Sequence, residues 1–184
     1  MDTVDEAEFR EYAAARWERL VRIAYLLTGD RHHAEDLAQT ALEQAYAGWH
    51  RVARSENRDA YVHRILVRCN ARRFRKRRVG ERLTDAVPEV AAPDAHAGLE
   101  TRHALLGALA ELPARQRAVI VLRYWSDLSE QDVAAAVGCS VGTVKSQASK
   151  GLAKLRSHPV VRDLAPAPAV PPVPRISAAF PGGQ

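Results

Sequence analysis

The amino-acid sequence predicts an all-α protein of two small helical domains that are joined by a flexible linker. Apolar residues recur at helical spacing along residues 34–49, this periodicity fails between residues 79 and 98, and it returns from residue 99 onward. Residues 129–156 then show the pattern of two short helices around a tight turn, a helix-turn-helix. A chain of 184 residues has room for one domain or two, so this pattern decides the organisation.

The first domain is predicted over residues 8–78 as successive helices. The first helix ends at the turn of Thr28, Gly29 and Asp30, and Asp30 can cap the helix that follows. This second helix has the most regular pattern, because apolar residues recur at i, i+3, i+4 and i+7 up to Trp49. After the polar stretch of residues 50–59, a further helix is predicted to continue toward Phe74.

Prolines interrupt the middle and the end of the chain. Pro88 and Pro93 lie in the predicted linker, residues 79–98, and a flexible coil of about 20 residues has a mean span of ~25 Å and a fully extended limit of ~65 Å. The second domain is predicted over residues 99–158, where Pro113 suits the first position of a helix. Residues 165–184 form a proline-rich tail, which we expect to be disordered or polyproline-like.

The helix-turn-helix pattern has recognisable helix ends. Ser129 is predicted to cap the first short helix, Gly138 to end it in a left-handed conformation, and Ser140 to cap the second. The apolar stripe of the second helix consists of Val144, Ala148, Leu152 and Leu155. These positions leave the opposite face of the second helix for solvent or a partner.

That outward face contains lysine, glutamine, serine and threonine, and no acidic residue occurs from Val133 to Arg156. Such a face suits phosphates and base edges, and helix-turn-helix geometry places the start of the second helix in the major groove. A generic helix pair with a charged surface is the alternative interpretation. The residues predicted to contact DNA from this helix are Ser140, Thr143, Lys145, Ser146, Gln147 and Lys150.

The charge balance also favours an anionic partner. The chain has 27 Lys and Arg against 22 Asp and Glu, a net charge of +5 and a pI near 9.6. Arginines crowd residues 68–78, either as a solvated helix end or as a phosphate-binding surface. We favour phosphate binding, because like charges this close repel each other unless an anion neutralises them.

Several classes of site and location are not expected. No secretory signal or membrane-length apolar run occurs, so the sequence predicts a cytoplasmic protein. Cys69 and Cys139 are far apart and are expected to be small buried residues. His32 and His33 lie near acidic residues in a predicted polar turn, and a metal site is the less favoured interpretation of this cluster. No cofactor is expected.

Three segments of the sequence are distinctive in this order: AEDLAQTALEQAY at 34–46, AYVHRILVRCNARRFRKRR at 60–78, and LPARQRAVIVLRYWSDLSEQDVAAAVGCSVGTVKSQASKGLAKLR at 112–156. Together they resemble one family, the extracytoplasmic-function sigma factors of the sigma-70 class, within which the SigE-type group is the most similar. The resemblance covers roughly residues 8–157. It implies that the two domains are the sigma-2 and sigma-4 domains and that the chain binds core RNA polymerase and directs it to promoters, where DNA is opened and transcription begins.

The resemblance also implies a role for each surface. The second helix would dock on the clamp of the large polymerase subunit through Asp36, Gln39, Thr40 and Glu43. The polar stretch and the arginine helix would capture a flipped base of the minus-ten element and hold the opened DNA, through Arg54, Ser55, Asn57, Arg58, Tyr61, Arg64, Arg68, Arg72 and Arg75. The helix that begins after Ser140 would read the minus-thirty-five element.

Two residues depart from the family pattern, and one further partner is implied. Thr40 stands where the family often has an acid, and Arg68 stands where an asparagine is common. Members of the family are frequently held inactive by an anti-sigma factor, so such a protein joins the expected partners, although no residue identifies it. The two promoter elements, about 17 base pairs apart, are separated by ~58 Å, which requires the linker to be stretched.

Two other classes of function remain as alternatives. A stand-alone repressor or activator would share the helix-turn-helix but would not need the helix at 34–46 or the arginine helix. An enzyme would need a nucleophile with its base, paired carboxylates, a phosphate loop or zinc spacing, and the sequence shows none of these patterns. We therefore predict a protein without catalytic residues.

Overall fold

The computed structural model describes residues 3–80 and 97–164, and within them the side chains of residues 5–73 and 104–162. Every regular element in these two ranges is a helix, which confirms the predicted all-α fold. None of the described helices is long and apolar enough to cross a membrane. The helices are α1 (Thr3–Thr28), α2 (Arg31–Ala47), α3 (Trp49–Ala53), α4 (Arg58–Gly80), α5 (Ala97–Ala110), α6 (Ala114–Tyr124), α7 (Glu130–Val137), α8 (Val141–Ser157) and α9 (Pro159–Leu164).

The predicted caps are confirmed by hydrogen bonds at the helix ends. The side chain of Asp30 accepts a hydrogen bond from the backbone N–H of His33 at 2.7 Å. Ser129 and Ser140 accept in the same way, each from the residue three positions later, at 3.1 Å and 3.2 Å. Gly138 has φ 70° and ψ 54°, a left-handed conformation that glycine adopts without the steric penalty of a side chain.

Two local predictions were wrong by small shifts. Pro113 is the N-cap of α6 and not its first helical residue, because its ψ of 138° is extended and its carbonyl accepts the N–H of Arg117. His32 and His33 lie in the first turn of α2 and not in a turn between helices, because the Asp30 cap starts the helix at Arg31. The Nδ1 atom of His33 lies 3.2 Å from the Asp30 carboxylate, so this histidine completes the cap.

The predicted linker and tail fall mainly outside the described residues. Residues 79–80 belong to the end of α4 and residues 97–98 to the start of α5, so both ends of the linker segment are helical. Residues 81–96 and the tail of residues 165–184 lie outside the described ranges. The boundaries predicted for the two domains therefore stay a prediction.

Helices α1 to α4 form an N-terminal unit in which α2 packs against α1 and α4. Trp49 is fully buried, and the rings of Phe9 and Tyr12 lie 5.3 Å from it. Cys69 is buried, as predicted, whereas Cys139, also predicted to be buried, is half-buried, as is Ile65. The other predicted apolar positions that are buried here are Leu20, Ile23, Ala24, Leu27, Ala34, Leu37, Ala38, Ala41, Leu42, Ala45, Val62 and Leu66.

Helices α5 to α9 form a C-terminal unit that packs directly on the first. Helix α7 packs against α4, and α6 packs against α1. Val133 and Val144 of the C-terminal unit belong to the same buried hydrophobic cluster as Leu20 and Leu66 of the N-terminal unit. One hydrophobic core therefore runs through both units, which the periodicity of the single helices does not predict.

Arg117 on α6 adds buried hydrogen bonds to this packing. The residue is 9% exposed, and its guanidinium donates to the carbonyl of Leu27 at 2.9 Å and to those of Ala110 and Leu112 at 2.6 Å and 3.3 Å. The Leu27 and Ala110 carbonyls lie at the C-terminal ends of α1 and α5, where unpaired carbonyls and the helix dipole favour a cation. Burial lowers the pKa of Arg117, so the three carbonyls compensate for lost hydration.

Replacing this arginine is expected to weaken the whole fold. Arg117→Leu keeps an apolar side chain but leaves three buried carbonyls without their donor, so the free energy of unfolding should fall by about 2–4 kcal/mol. Urea unfolding followed by circular dichroism measures the change. Arg115→Leu is the matched control, because Arg115 is exposed and makes one hydrogen bond, to Gly138, and it should change stability by less than about 1 kcal/mol. Equal losses in both variants would contradict the role given to Arg117.

Candidate nucleic-acid interface

Helices α7 and α8 with the turn between them form the predicted helix-turn-helix. The buried residues Val144, Ala148 and Leu155 hold α8 against the core, and Leu152 is half-buried beside them. Gly151 is buried where α8 crosses α6, and a Cβ atom at this position would lie 3.0 Å from a side-chain carbon of Ile120. Helix α8 therefore lies close to α6 with its opposite face outward.

The predicted reading residues of α8 differ in how free their side chains are. Lys145, Ser146 and Lys150 are exposed, and Gln147 is half-buried. The Nζ atom of Lys145 lies 3.5 Å from the Glu130 carboxylate on α7, a contact that the sequence pattern of α8 alone does not reveal. A surface pair of this kind is weak, so Lys145 can exchange it for a phosphate or a base.

Ser140 and Thr143 are bound to each other at the start of α8. The Ser140 hydroxyl accepts from the Thr143 backbone N–H, and the two hydroxyl oxygens lie 2.9 Å apart. Both side chains therefore help to form the helix terminus. The N–H groups at such a terminus favour an anion, because the helix dipole is positive there.

The second predicted surface lies on α4. Tyr61, Arg64, Arg68 and Arg72 follow each other at intervals of three and four residues, which places them on one face of the helix. Arg68 and Arg72 are exposed, and the guanidinium of Arg64 lies 4.2 Å from the centre of the Tyr61 ring. This distance is typical of a cation–π contact, so Tyr61 and Arg64 form one flat, positively charged unit. Arg75 continues the series along α4, and its side chain lies outside the described ones.

Residues 54–58, which are the turn between α3 and α4 together with the first residue of α4, are held by hydrogen bonds. The Asn57 side chain accepts from Ala60 N–H at 2.9 Å and so caps α4, and the Ser55 hydroxyl donates to the Val52 carbonyl at 2.6 Å. Arg58 lies 2.8 Å from the Glu8 carboxylate and also donates to the Ala53 carbonyl. Of the predicted minus-ten residues in this turn, only Arg54 is exposed with no such contact among the described residues.

Asp59 is the centre of a network that sequence reasoning missed. Its carboxylate accepts from the Tyr12 hydroxyl at 3.0 Å and from Arg16 at 3.1 Å, and Arg19 lies 3.8 Å away. Arg19 also donates to the carbonyl of Ser126, between α6 and α7, at 3.2 Å. The network thus connects α1, the start of α4 and the C-terminal unit. No local pattern could predict it, because Asp59 lies 47 and 43 positions from Tyr12 and Arg16, and Ser126 lies 107 positions from Arg19.

The protonation of this network follows from burial and charge. Burial alone would raise the pKa of the Asp59 carboxyl, but the hydrogen bonds from Tyr12 and Arg16 outweigh it and lower that pKa. Burial and the negative charge of Asp59 together raise the pKa of Tyr12 far above its usual range. Asp59 is therefore charged and Tyr12 neutral at physiological pH.

The predicted polymerase-binding residues share one exposed face of α2. Asp36, Gln39, Thr40 and Glu43 are all exposed and are spaced at three, four and seven positions. The Gln39 amide donates to the Glu43 carboxylate at 3.2 Å, which fixes both side chains. The face is polar and acidic, in contrast to the cationic faces of α4 and α8.

A groove of about 380 Å³ between α1 and α2 borders this face and was not predicted. Tyr46 is 39% exposed at its wall, and the Tyr46 and Phe9 rings lie 4.8 Å apart. The signal in the sequence is the spacing of Phe9, Ala13 and Trp17 by four positions, a second apolar stripe on α1. The residues that line it are Glu6, Phe9, Arg10, Ala13, Trp17, Gln39, Leu42, Glu43 and Tyr46.

No group of three or more histidine, cysteine or acidic side chains that could hold a metal occurs in the described part of the chain. Within that part, the functional geometry consists of two cationic surfaces, one on α4 and one on α8, and an acidic face on α2. The fold and these surfaces together define a class, a two-domain, all-helical DNA-binding protein with a helix-turn-helix.

Two family models match the sequence. The model described as Sigma-70 region 2 matches residues 15–79, and the model described as Sigma-70, region 4 matches residues 102–155. The first match contains α2 and most of α4, and the second contains the helix-turn-helix. The RNA polymerase sigma-E factor of Streptomyces coelicolor is 39% identical over 157 residues, which cover 85% of this chain and 89% of that protein. The chain therefore belongs to the sigma-70 family of RNA polymerase sigma factors.

More distant relatives are also sigma factors. The ECF RNA polymerase sigma factor SigW of Bacillus subtilis is 26% identical over 174 residues, which cover 87% of this chain and 92% of that protein. Among solved structures, the sigma factor RpoE of Bartonella quintana, in complex with the anti-sigma factor NepR, has a TM-score of 0.75 and 28% identity. That match covers 86% of this chain and 99% of the solved chain. The resemblance to extracytoplasmic-function sigma factors and the two-domain helical fold are thereby confirmed.

The buried His63, one turn after Asp59 on α4, makes the fold sensitive to pH. Burial lowers the pKa of His63 to about 4 from its ordinary 6.5, the Asp59 charge opposes this, and the Arg19 charge adds to it. His63 is therefore neutral in the folded chain, and it takes up a proton on unfolding below pH 6.5. The contribution of the neutral His63 to the free energy of unfolding should be complete above pH 6.5. It should decrease as the pH falls toward 4, by roughly 3 kcal/mol in total.

The comparison of wild type with His63→Gln isolates this effect, because other titrating groups are common to both proteins. The free energy of unfolding of wild type, relative to that of the variant, should fall steadily as the pH is lowered from 6.5 to 4. Above pH 6.5 the difference between the two proteins should be constant. Urea unfolding at several pH values measures it. A difference that stays the same from pH 7 to pH 4 would show that His63 is not held neutral.

Proposed function

We propose that this chain acts as a sigma factor of the extracytoplasmic-function type, which binds core RNA polymerase and directs promoter recognition, DNA opening and the start of transcription. The observation that carries the proposal is the presence of two exposed cationic surfaces and one acidic polar face on a chain that matches sigma-70 regions 2 and 4. A stand-alone repressor would have no use for the face on α2. Its exposed Asp36, Gln39, Thr40 and Glu43 therefore favour the sigma factor over that alternative.

The helix α8 is proposed to read the minus-thirty-five element. Its exposed side chains Lys145, Ser146 and Lys150 can reach base edges and phosphates in the major groove, and Gln147 lies on the same side. Ser140 and Thr143 have a different role in this proposal. Their hydroxyls are bound to each other, and the Thr143 N–H already donates to Ser140, so these residues shape the helix terminus. The remaining N–H groups of that terminus are the ones proposed to bind a phosphate.

The α4 surface and residues 54–58 are proposed to bind the minus-ten element. Opening DNA there requires a base to leave the stack, which costs a few kcal/mol per step and is offset when the base enters a pocket and the backbone is gripped. Arg68 and Arg72 are free to hold phosphates, and the flat Tyr61–Arg64 unit can stack on an unpaired base. Asn57 and Arg58 keep the turn in place, so it needs little further ordering when DNA arrives.

The face on α2 is proposed to bind the clamp of the large polymerase subunit. Charged and amide side chains that are fixed beforehand, as the bond between Gln39 and Glu43 fixes them, lose less conformational entropy on binding. Thr40 occupies the middle of the face without a charge, which leaves Asp36 and Glu43 as its negative ends. The chain is proposed to act in the cytoplasm and to leave all bond formation to the polymerase.

The proposal includes the two domains and the linker that were predicted from the sequence. A sigma-2 domain over residues 8–78 holds the polymerase and minus-ten surfaces, and a sigma-4 domain over residues 99–158 holds the minus-thirty-five surface. Residues 79–98 serve as the linker between them. An anti-sigma factor, like the NepR bound to the Bartonella relative, is the regulatory partner that this organisation can accept.

Transcription in vitro with purified core polymerase tests the proposal. The chain should let core polymerase start transcription from some members of a genomic fragment library that core polymerase alone does not use. Asp36→Lys should lower the affinity for core polymerase by about tenfold or more, because it reverses one of the two negative charges of the proposed interface.

Glu11→Lys is the matched control for Asp36→Lys. It makes the same charge change at an exposed position of α1, away from the α2 face, and it should leave the affinity unchanged. Failure of the wild-type chain to start transcription from any library member would contradict the proposed function. An equal loss in both variants would contradict the assignment of the α2 face.

Replacing Lys145 and Gln147 with alanine tests the role of α8. Each good base contact that is lost should reduce the affinity of the holoenzyme for an intact minus-thirty-five element by ~1–3 kcal/mol. Promoters with a scrambled element should be affected much less. Fluorescence anisotropy with a promoter obtained from the library measures both affinities. Lys154→Ala removes a charge two turns further along α8, and a loss of the same size and selectivity in this control would contradict the assignment.

A further inference from the structure

The groove between α1 and α2 has the character of a peptide-binding site. Its floor is apolar, and three aromatic rings, those of Phe9, Trp17 and Tyr46, line it. Its volume of about 380 Å³ is open to one side, and the polar residues that line it, here called its rim, are Glu6, Arg10, Gln39 and Glu43. Grooves lined by aromatic rings are the usual binding sites of proline-rich segments in an extended polyproline conformation.

The rim of the groove has an uncompensated negative charge. The Glu6 carboxylate is paired with Arg10 at 2.6 Å, whereas among the described side chains Glu43 receives only the neutral amide of Gln39. A segment that fits this groove should therefore combine prolines with one positive charge. Because a carboxylate and a guanidinium can form two parallel hydrogen bonds, arginine is the best match for Glu43.

The same chain contains such a segment in its C-terminal tail. Residues 165–184 read APAPAVPPVPRISAAFPGGQ, and Arg175 is the single charged side chain in this sequence. Pro171, Pro172 and Pro174 precede it directly. Proline restricts the backbone before binding, so a segment of this composition loses little conformational entropy when it docks.

The tail is long enough to reach the groove. Helix α9 ends at Leu164, and its Val161 packs in the same cluster as Leu26 of α1. From Leu26 to Ala13, in the middle of the groove, the distance along α1 is about 20 Å at 1.5 Å per residue. Ten residues, from 165 to 174, extend over about 31 Å in a polyproline conformation, which leaves about 10 Å to pass around α1.

We propose that residues 168–176 of the tail dock in the groove between α1 and α2 of the same chain. The proline rings pack against Phe9, Trp17 and Tyr46, and the Arg175 guanidinium binds the Glu43 carboxylate. Gln39 and Glu43 belong both to the groove and to the α2 face. If that face binds polymerase, as the proposed function states, the tail competes with polymerase for it and lowers the apparent affinity of the chain.

Photo-crosslinking in the full-length chain tests the docking without any polymerase. Tyr46 is replaced by p-benzoylphenylalanine, which keeps an aromatic ring at the groove, and the irradiated chain is digested with trypsin. Trypsin releases residues 163–175 as one peptide, because arginines stand at positions 162 and 175. Mass spectrometry should find this peptide joined to the α2 peptide, in the band with the mass of one chain.

Three variants sharpen the test. The same photoreactive residue at Tyr124, which is 52% exposed on the C-terminal unit, is the control and should give little crosslinking to residues 163–175. Replacing Pro171, Pro172 and Pro174 with serine should reduce the crosslink from position 46 by about fivefold or more, and Glu43→Gln should reduce it too.

The proposal is overturned by no crosslink, by equal crosslinks from positions 46 and 124, or by a crosslink that the serine variant keeps. A crosslink found only in the band of two chains would mean that a second copy fills the groove, and it would overturn docking within one chain.

A second measurement tests the competition separately. The full-length serine variant should bind core polymerase about threefold more tightly than wild type, as expected if the tail fills most grooves in the free chain. Unchanged affinity together with a clear crosslink would overturn the competition and leave the docking in place. Failure of both proteins to bind core polymerase would contradict the proposed function, and the crosslinking result would still stand by itself.

Discussion

The packing of α7 against α4 is the interaction on which the arrangement of all the surfaces depends. The contact buries one face of α4 and one face of α7 and leaves the opposite face of each helix on the surface. It therefore decides which side chains can bind a partner. Val62, Leu66 and Cys69 face the core from α4, and Tyr61, Arg68 and Arg72 are left on its other side. In the same way α7 covers the core with Val133 and presents α8 to the outside. Arg117 and Arg19 add charged hydrogen bonds between α1 and the C-terminal unit.

This packing sets a constraint on promoter binding. A compact body of about 150 residues is about 40 Å across, whereas promoter elements about 17 base pairs apart are separated by ~58 Å. If α4 and α8 bind these elements as proposed, they cannot both reach them while the units share one core. The proposed function therefore requires the contact between α4 and α7 to open when the chain binds polymerase and DNA. The polar part of the contact suits a reversible opening. The Leu27 carbonyl at the end of α1 and the Ser126 carbonyl can bind water once Arg117 and Arg19 leave them.

The sequence predicts most of what is local in this structure. The caps at Asp30, Ser129 and Ser140, the left-handed Gly138 and the buried face of α2 follow from residue types at fixed short spacings, and the structure has them where they were predicted. The Asp59 network, the groove between α1 and α2 and the packing of the two units were not predictable in this way. Each depends on side chains from different helices, and a periodic pattern states which face of a helix is apolar without stating which neighbour covers it. The pairing of Lys145 with Glu130 belongs to the same class.

The turn of residues 54–58 shows how structural and binding roles combine in one segment. Asn57, Ser55 and Arg58 were predicted as DNA-binding residues, and each makes a hydrogen bond that fixes the turn against α3 or α4. In the proposed function, a turn held in this way does not need to be ordered when DNA binds, so more of the binding free energy remains for unstacking a base. Arg58 connects the turn to Glu8 on α1, and Asp59 connects it to Tyr12 and Arg16 on the same helix. The long α1 therefore supports the proposed minus-ten surface at two points.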